Sequence, residues 1–115
     1  MIVSIMQPTY LPWIGYFDLI AKADIFVFLD DVQFSRRSWQ QRNRVLLDGK
    51  EMMLTIPTKN KGKRDQLIKN VLVDDDQDWR VKHFKTLELA YKKTPYGPRF
   101  LKVIKKNIFN SIDNL

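Results

Sequence analysis

MIVSIMQPTYLPWIGYFDLIAKADIFVFLDD, residues 1–31, decides the fold. Ile2-Val3-Ser4-Ile5-Met6 reads as a short buried strand. From Trp13 to Ala23 the apolar residues fall at 13, 14, 17, 20 and 21, the spacing of one helical face, and an amphipathic helix is expected. Pro12 suits its first turn, where a missing N–H is no loss. Asp24-Ile25-Phe26-Val27-Phe28-Leu29 is then a second strand, closed by Asp30-Asp31. Strand, helix and strand in so short a run make a βαβ unit, and the apolar strands imply a parallel sheet covered on both faces.

The link between first strand and helix exceeds what a turn requires. Gln7-Pro8-Thr9-Tyr10-Leu11-Pro12-Trp13 leaves the carboxyl end of the first strand, the usual place for a ligand crevice in such sheets. Gln7 can donate and accept hydrogen bonds, while Tyr10, Trp13 and Tyr16 offer flat faces to a sugar or a base. Gly15 would admit a close approach to the backbone. Asp31, ending the second strand, is expected on the same rim. The plainer reading keeps Trp13 and Phe17 in the core, Gly15 as a helix-packing contact and the prolines as turn formers.

Further along, residues 42–47 and 51–56 flank Asp48-Gly49-Lys50, a strong hairpin signal. TKNKGKRD, residues 58–65, is a basic loop, and Leu67 to Val73 reads as a short strand. Asp74-Asp75-Asp76 offers N-caps to a helix over about 77–92 with Trp79, His83, Leu87 and Ala90 in one stripe. Pro98 can open a last helix with Phe100, Leu101, Ile104 and Ile108 inward, and residues 112–115 close the chain. The fold class is thus α/β: an N-terminal βαβ unit with a parallel sheet, a central β-hairpin and two C-terminal helices.

The 115 residues lack cysteine, which excludes disulfides and thiolate chemistry, and His83 is the sole histidine. No metal site is expected, and with no phosphate-cradling loop, Walker motif or dinucleotide fingerprint no cofactor is expected either. No apolar run reaches membrane-spanning length, and no secretory signal precedes the first strand, so the expected location is the cytoplasm. The net charge of +7 is uneven: residues 1–34 carry one Lys and four Asp, residues 35–72 ten basic and three acidic groups. Such a middle segment suits an anionic partner. Within it Arg36, Arg37, Arg42 and Arg44 surround Trp39, a set able to grip the phosphates of a nucleotide or to follow single-stranded nucleic acid. His83 is either a satisfied core histidine or the chain's ready general acid–base.

QPTYLPWIGYF (7–17), DIFVFLDDVQFSRRSWQQRNRV (24–45), LTIPT (54–58) and WRVKHFKTLELAYKKTPY (79–96), in that order, resemble the WbqC-like family. Its members are bacterial proteins, often encoded among genes for O-antigen and other surface polysaccharides. The resemblance implies that Gln7, Pro8, Tyr10, Pro12, Trp13, Gly15 and Tyr16 act as a unit with Asp31, Gln33, Arg42 and Asn43, and it favours a functional His83. It also implies that residues 1–115 are a single WbqC-like α/β domain, the N-terminal half of a longer architecture, leaving the stripes of the last two helices incompletely covered. A weaker likeness, fold-level analogy only, is to the start of HIGH-type nucleotidyltransferases. Trp13 and Tyr16 would hold the histidine positions, which disfavours that chemistry but not nucleotide binding.

The resulting expectation is a protein binding an anionic small-molecule substrate, a nucleotide or nucleotide-linked sugar, and acting as a transferase in surface-polysaccharide biosynthesis. Asp31 and His83 are its candidate catalytic residues. Gln7, Tyr10, Trp13, Gly15, Tyr16, Gln33, Arg36, Arg37, Arg42 and Asn43 are its candidate ligand-binding residues. The alternatives are a single-stranded nucleic-acid-binding module, ranked below, and a non-catalytic assembly factor.

Overall fold

A computed structural model describes residues 1–60, 62 and 65–109. Part of the basic loop at 58–65 and the closing residues 112–115 lie outside the described residues. The chain divides into two compact units, Met1–Asn43 with Thr55–Asp74, and Arg44–Leu54 with the chain from Asp75 on.

The first unit is built on the expected βαβ start. Strand β1 (Val3–Met6) pairs in parallel with β2 (Ile25–Phe28), in the register Val3↔Ile25, Ser4↔Phe26, Ile5↔Val27 and Met6↔Phe28. Between them runs helix α1 (Ile14–Lys22). Asp24 ties the entry to β2 back to the start of β1, its carboxylate accepting the Ile2 N–H at 2.7 Å.

The plainer reading, which keeps Trp13 and Phe17 in the core, and the expectation of a doubly covered sheet are both corrected. The stripe of α1 at Trp13, Ile14, Phe17, Ile20 and Ala21 is exposed, and the fully buried side chain is Tyr16, its ring 5.5 Å from that of Phe26. Periodicity reveals a stripe without saying which layer it faces, and the side chain that turns inward is an aromatic whose hydroxyl finds a backbone acceptor. Among the described residues the sheet is likewise not covered on both faces. Side chains alternate across a strand, so Ser4 and Phe26 face α1 while Val3, Ile5, Ile25 and Val27 form the opposite face, each between 40% and 56% exposed.

Beyond β2 the chain pairs with a later segment instead of entering another strand of the sheet. Gln33 and Leu67 form an isolated antiparallel bridge, as do Thr58 and Val73. The stretch expected as a strand at 67–73 is a 3-10 turn at Ile68–Asn70 flanked by these bridges. Single bridges satisfy backbone groups here without a repeating ladder.

In the second unit lies most of the hairpin of β3 (Arg42–Leu47) and β4 (Lys50–Thr55). Asp48 and Gly49 both have positive φ, 51° and 76°, the signature of a two-residue turn whose twist matches the strands. Helices α2 (Trp79–Tyr91) and α3 (Gly97–Asn107) follow. Helix α2 starts later than expected. Asp78 takes the cap position without a side-chain bond, and Asp75 instead accepts from the Trp79 indole N–H and pairs with Arg80, both at 3.1 Å. Trp79, His83 and Leu87 of α2, Leu101 and Ile104 of α3, and Phe109 beyond it are buried, whereas Phe100, expected inward, is 39% exposed, so the stripe of α3 is covered only in part.

Gly97 lets the connection close. A Cβ there would run into the backbone carbonyl of Tyr91, which already accepts from the Thr94 N–H and hydroxyl. Pro98 sits in the first turn of α3, as expected.

Candidate functional site

The loop at 7–13 is held from three sides. From within α1, Tyr16 donates its hydroxyl to the Gln7 carbonyl at 2.9 Å. Burial raises the Tyr16 phenol above its ordinary pKa, which keeps that donor protonated. From the start of β3, Asn43 donates through its amide nitrogen to the carbonyls of Tyr10, at 3.1 Å, and Leu11, at 2.7 Å. From the following loop, Gln40 donates to the Gln7 side-chain oxygen at 2.7 Å, and the Trp39 carbonyl accepts from the Tyr10 N–H at 3.1 Å.

This bracing supports an unusual backbone. Leu11 has φ 48°, in the left-handed region that L-residues other than Asn and Asp seldom adopt. Because both carbonyls on this bend meet one amide group, the bend is specified by Asn43. Trp13 lies exposed beyond it, with its indole over Gly15; a methyl group at Gly15 would overlap that ring. The close approach that Gly15 permits is therefore made by the chain's own tryptophan.

The loop at 35–41 is fixed in the same manner. Ser35 donates its N–H to the Gln40 side-chain oxygen at 3.0 Å, and the Ser38 hydroxyl bonds the Ser35 carbonyl. Buried Gln41 accepts from the Arg37 N–H at 2.7 Å and donates to the Ile56 carbonyl at 2.9 Å. Arg37 has φ 59°, a second left-handed residue. Arg36 and Arg37 are exposed, and among the described residues neither guanidinium has an acidic partner.

The candidate residues therefore separate into groups. Gln7, Tyr10, Tyr16 and Asn43 are joined by hydrogen bonds, with Tyr10 and Tyr16 buried. The face of Tyr16 is turned to the core and its hydroxyl is occupied, so its observed part is to position Gln7. Gln33 donates to Asp65 at 3.0 Å. Asp31 is exposed. It stands at the same carboxyl edge as Gln7, because the Leu29 N–H bonds the carbonyl of Met6, the residue before Gln7. His83 belongs to the second unit, where it is buried with its ring edge-on to Trp79 at 5.2 Å.

Two buried polar atoms near these residues have no hydrogen-bond partner among the described residues, Thr9 Oγ1 and Arg42 Nε. Each adjoins a residue of the Tyr10–Asn43 clasp in sequence. No group of three or more His, Asp or Glu side chains able to hold a metal ion occurs among the described residues. No helix among them is long and apolar enough to cross a membrane. Gln40 and Gln41 were not singled out from the sequence; the only signal for them is a pair of amides directly after an aromatic in a basic loop.

The WbqC-like protein family matches over residues 7–115. The chain belongs to that family. An uncharacterized protein of Mycobacterium tuberculosis (strain ATCC 25618 / H37Rv), Rv1507c, is 42% identical over 89 residues, which are 77% of this chain and 38% of the relative. This WbqC-like chain thus spans well under half the length of the curated relative that it matches. No solved structure matches it significantly. The family match includes every candidate residue from Gln7 to His83, and so both braced loops of the WbqC-like chain.

Proposed function

We propose that this WbqC-like chain binds an anionic small molecule, a nucleotide or nucleotide-linked sugar, at the loops of its first unit, and acts as a transferase in bacterial surface-polysaccharide (O-antigen) biosynthesis. The observation carrying this reading is the pair Arg36 and Arg37: two exposed guanidiniums, without acidic partners among the described residues, on a loop pinned by Gln40 and Gln41. Positive side chains left unpaired on a fixed backbone suit a phosphate, whose oxygens match the guanidinium fork. The left-handed Arg37 adds weight, because backbone strain of this kind is retained where the surroundings specify it.

In this reading the exposed rings of Trp13 and Trp39 take the base or the sugar. Asp31, exposed at the carboxyl edge, orients a hydroxyl. Arg42, half-buried at the start of β3, supplies a further guanidinium. Asn43, Gln7 and Tyr16 keep the first loop in shape and Gln33 anchors the segment after Asp31. This reading assigns no binding contact to His83, whose imidazole is buried edge-on to Trp79.

Thermal-shift titration with nucleoside diphosphates and nucleotide-linked sugars tests this. Stabilisation by one of these compounds, lost in Arg36→Ala plus Arg37→Ala, is the expected outcome. No stabilisation by any of them would overturn the reading. So would tighter binding of a single-stranded oligonucleotide with a steep fall in affinity as salt rises, the mark of counterion release.

A further inference from the structure

The β1–β2 pair presents a face that the described residues leave about half exposed. Its register sets Val3 beside Ile25 and Ile5 beside Val27 on the side opposite α1, giving four β-branched apolar residues in one block. Isolated exposed apolar residues are ordinary, but contiguous blocks mark interaction surfaces. Parallel strands are found almost only in sheets covered on both faces, and a sheet of two strands has little stability of its own. Each strand also keeps one edge without a ladder partner among the described residues.

We infer that this face is the seat of further WbqC-like polypeptide, namely the part of the longer relative outside the stretch it shares with this chain. More than half of that relative lies outside the shared 38%, so the family supplies chain enough to cover the sheet. The block carries no charge, which calls for an apolar partner and not for a nucleic acid or an acidic protein. A second copy stacked on the same face would cover it yet leave both edges open. Further strands and helices of one polypeptide satisfy face and edges together, as in a larger parallel sheet.

A chimera in which this chain replaces the matched stretch of the M. tuberculosis relative tests the inference against the 115-residue chain alone. Amides of Val3–Met6 and Ile25–Phe28 are expected to exchange at least about 100-fold more slowly in the chimera. Val27→Glu is expected to leave the melting temperature of the 115-residue chain nearly unchanged and to lower that of the chimera by about 10 °C. Leu89→Glu, on an exposed position of α2, should affect neither. Equal exchange in the two proteins, or an equal effect of Val27→Glu, overturns the inference. An unfolded chimera overturns it too, because the two parts would then not fit. A dimer of the 115-residue chain that Val27→Glu splits would make a second copy the occupant, and the inference would fall in the same way.

Discussion

Replacing Asn43 should loosen the first loop by a calculable amount. Its amide donates two hydrogen bonds in a half-buried setting, at 3.1 Å to the Tyr10 carbonyl and 2.7 Å to the Leu11 carbonyl. Each is worth about 1 kcal/mol net, so Asn43→Ala should destabilise the chain by about 2 kcal/mol. Asn43→Asp keeps the size of the side chain but sets a carboxylate against two carbonyl oxygens, and should cost at least as much. Leu11→Gly removes a left-handed penalty of about 1 kcal/mol and should recover part of the loss. Urea unfolding followed by tryptophan fluorescence gives the readout. With a slope of about 1.5 kcal/mol/M, the midpoint should fall by about 1 M for Asn43→Ala. If Asn43→Asp unfolds at the wild-type midpoint, the amide is not what holds the bend and the reasoning fails.

Gly97→Ala would press a methyl group into the Tyr91 carbonyl, at a cost of about 2–3 kcal/mol; an unchanged melting temperature by calorimetry would contradict this. Tyr16→Phe removes the bond to the Gln7 carbonyl and should cost about 1 kcal/mol near neutrality. Because burial raises the folded-state pKa of Tyr16, its linked stability is fully present below its ordinary value of 10.0 and is lost as pH rises through the raised one. The alkaline fall in stability should accordingly be shallower in Tyr16→Phe, and identical pH profiles would exclude the linkage. His83→Ala removes a buried ring packed on Trp79 and should lower stability by about 1–3 kcal/mol; a variant as stable as wild type would contradict a structural role for His83.

The elements whose signals are local could be read from residues alone. Asp48-Gly49 announces its turn because two successive left-handed residues favour that pair, and the strands on either side of α1 stand out as short apolar runs. Which way a surface turns is not local. The stripe from Trp13 to Ala21 has the spacing of a core face and is nevertheless exposed, because spacing records amphipathicity and not the neighbour it meets. The Asp74–Asp76 run looks like a cap, yet Asp75 is drawn to the Trp79 indole and Arg80 one turn on. In the candidate site, Gln7, Tyr10 and Asn43 could be named from their motifs. The clasp they form spans 33 positions between Tyr10 and Asn43, and no periodicity conveys such a pairing.

Gln41 gives the basic loop an unexpected kind of control. Its buried amide has one orientation that satisfies both neighbours, the oxygen toward the Arg37 N–H and the nitrogen toward the Ile56 carbonyl. A cation on the surface is thus aimed by a neutral group beneath it. Altering Gln41 to Met would leave the net charge at +7 while releasing the backbone that aims Arg37. Variation at this uncharged position therefore redirects Arg37 without altering a single charge of the loop, a route invisible to any survey that follows charge alone.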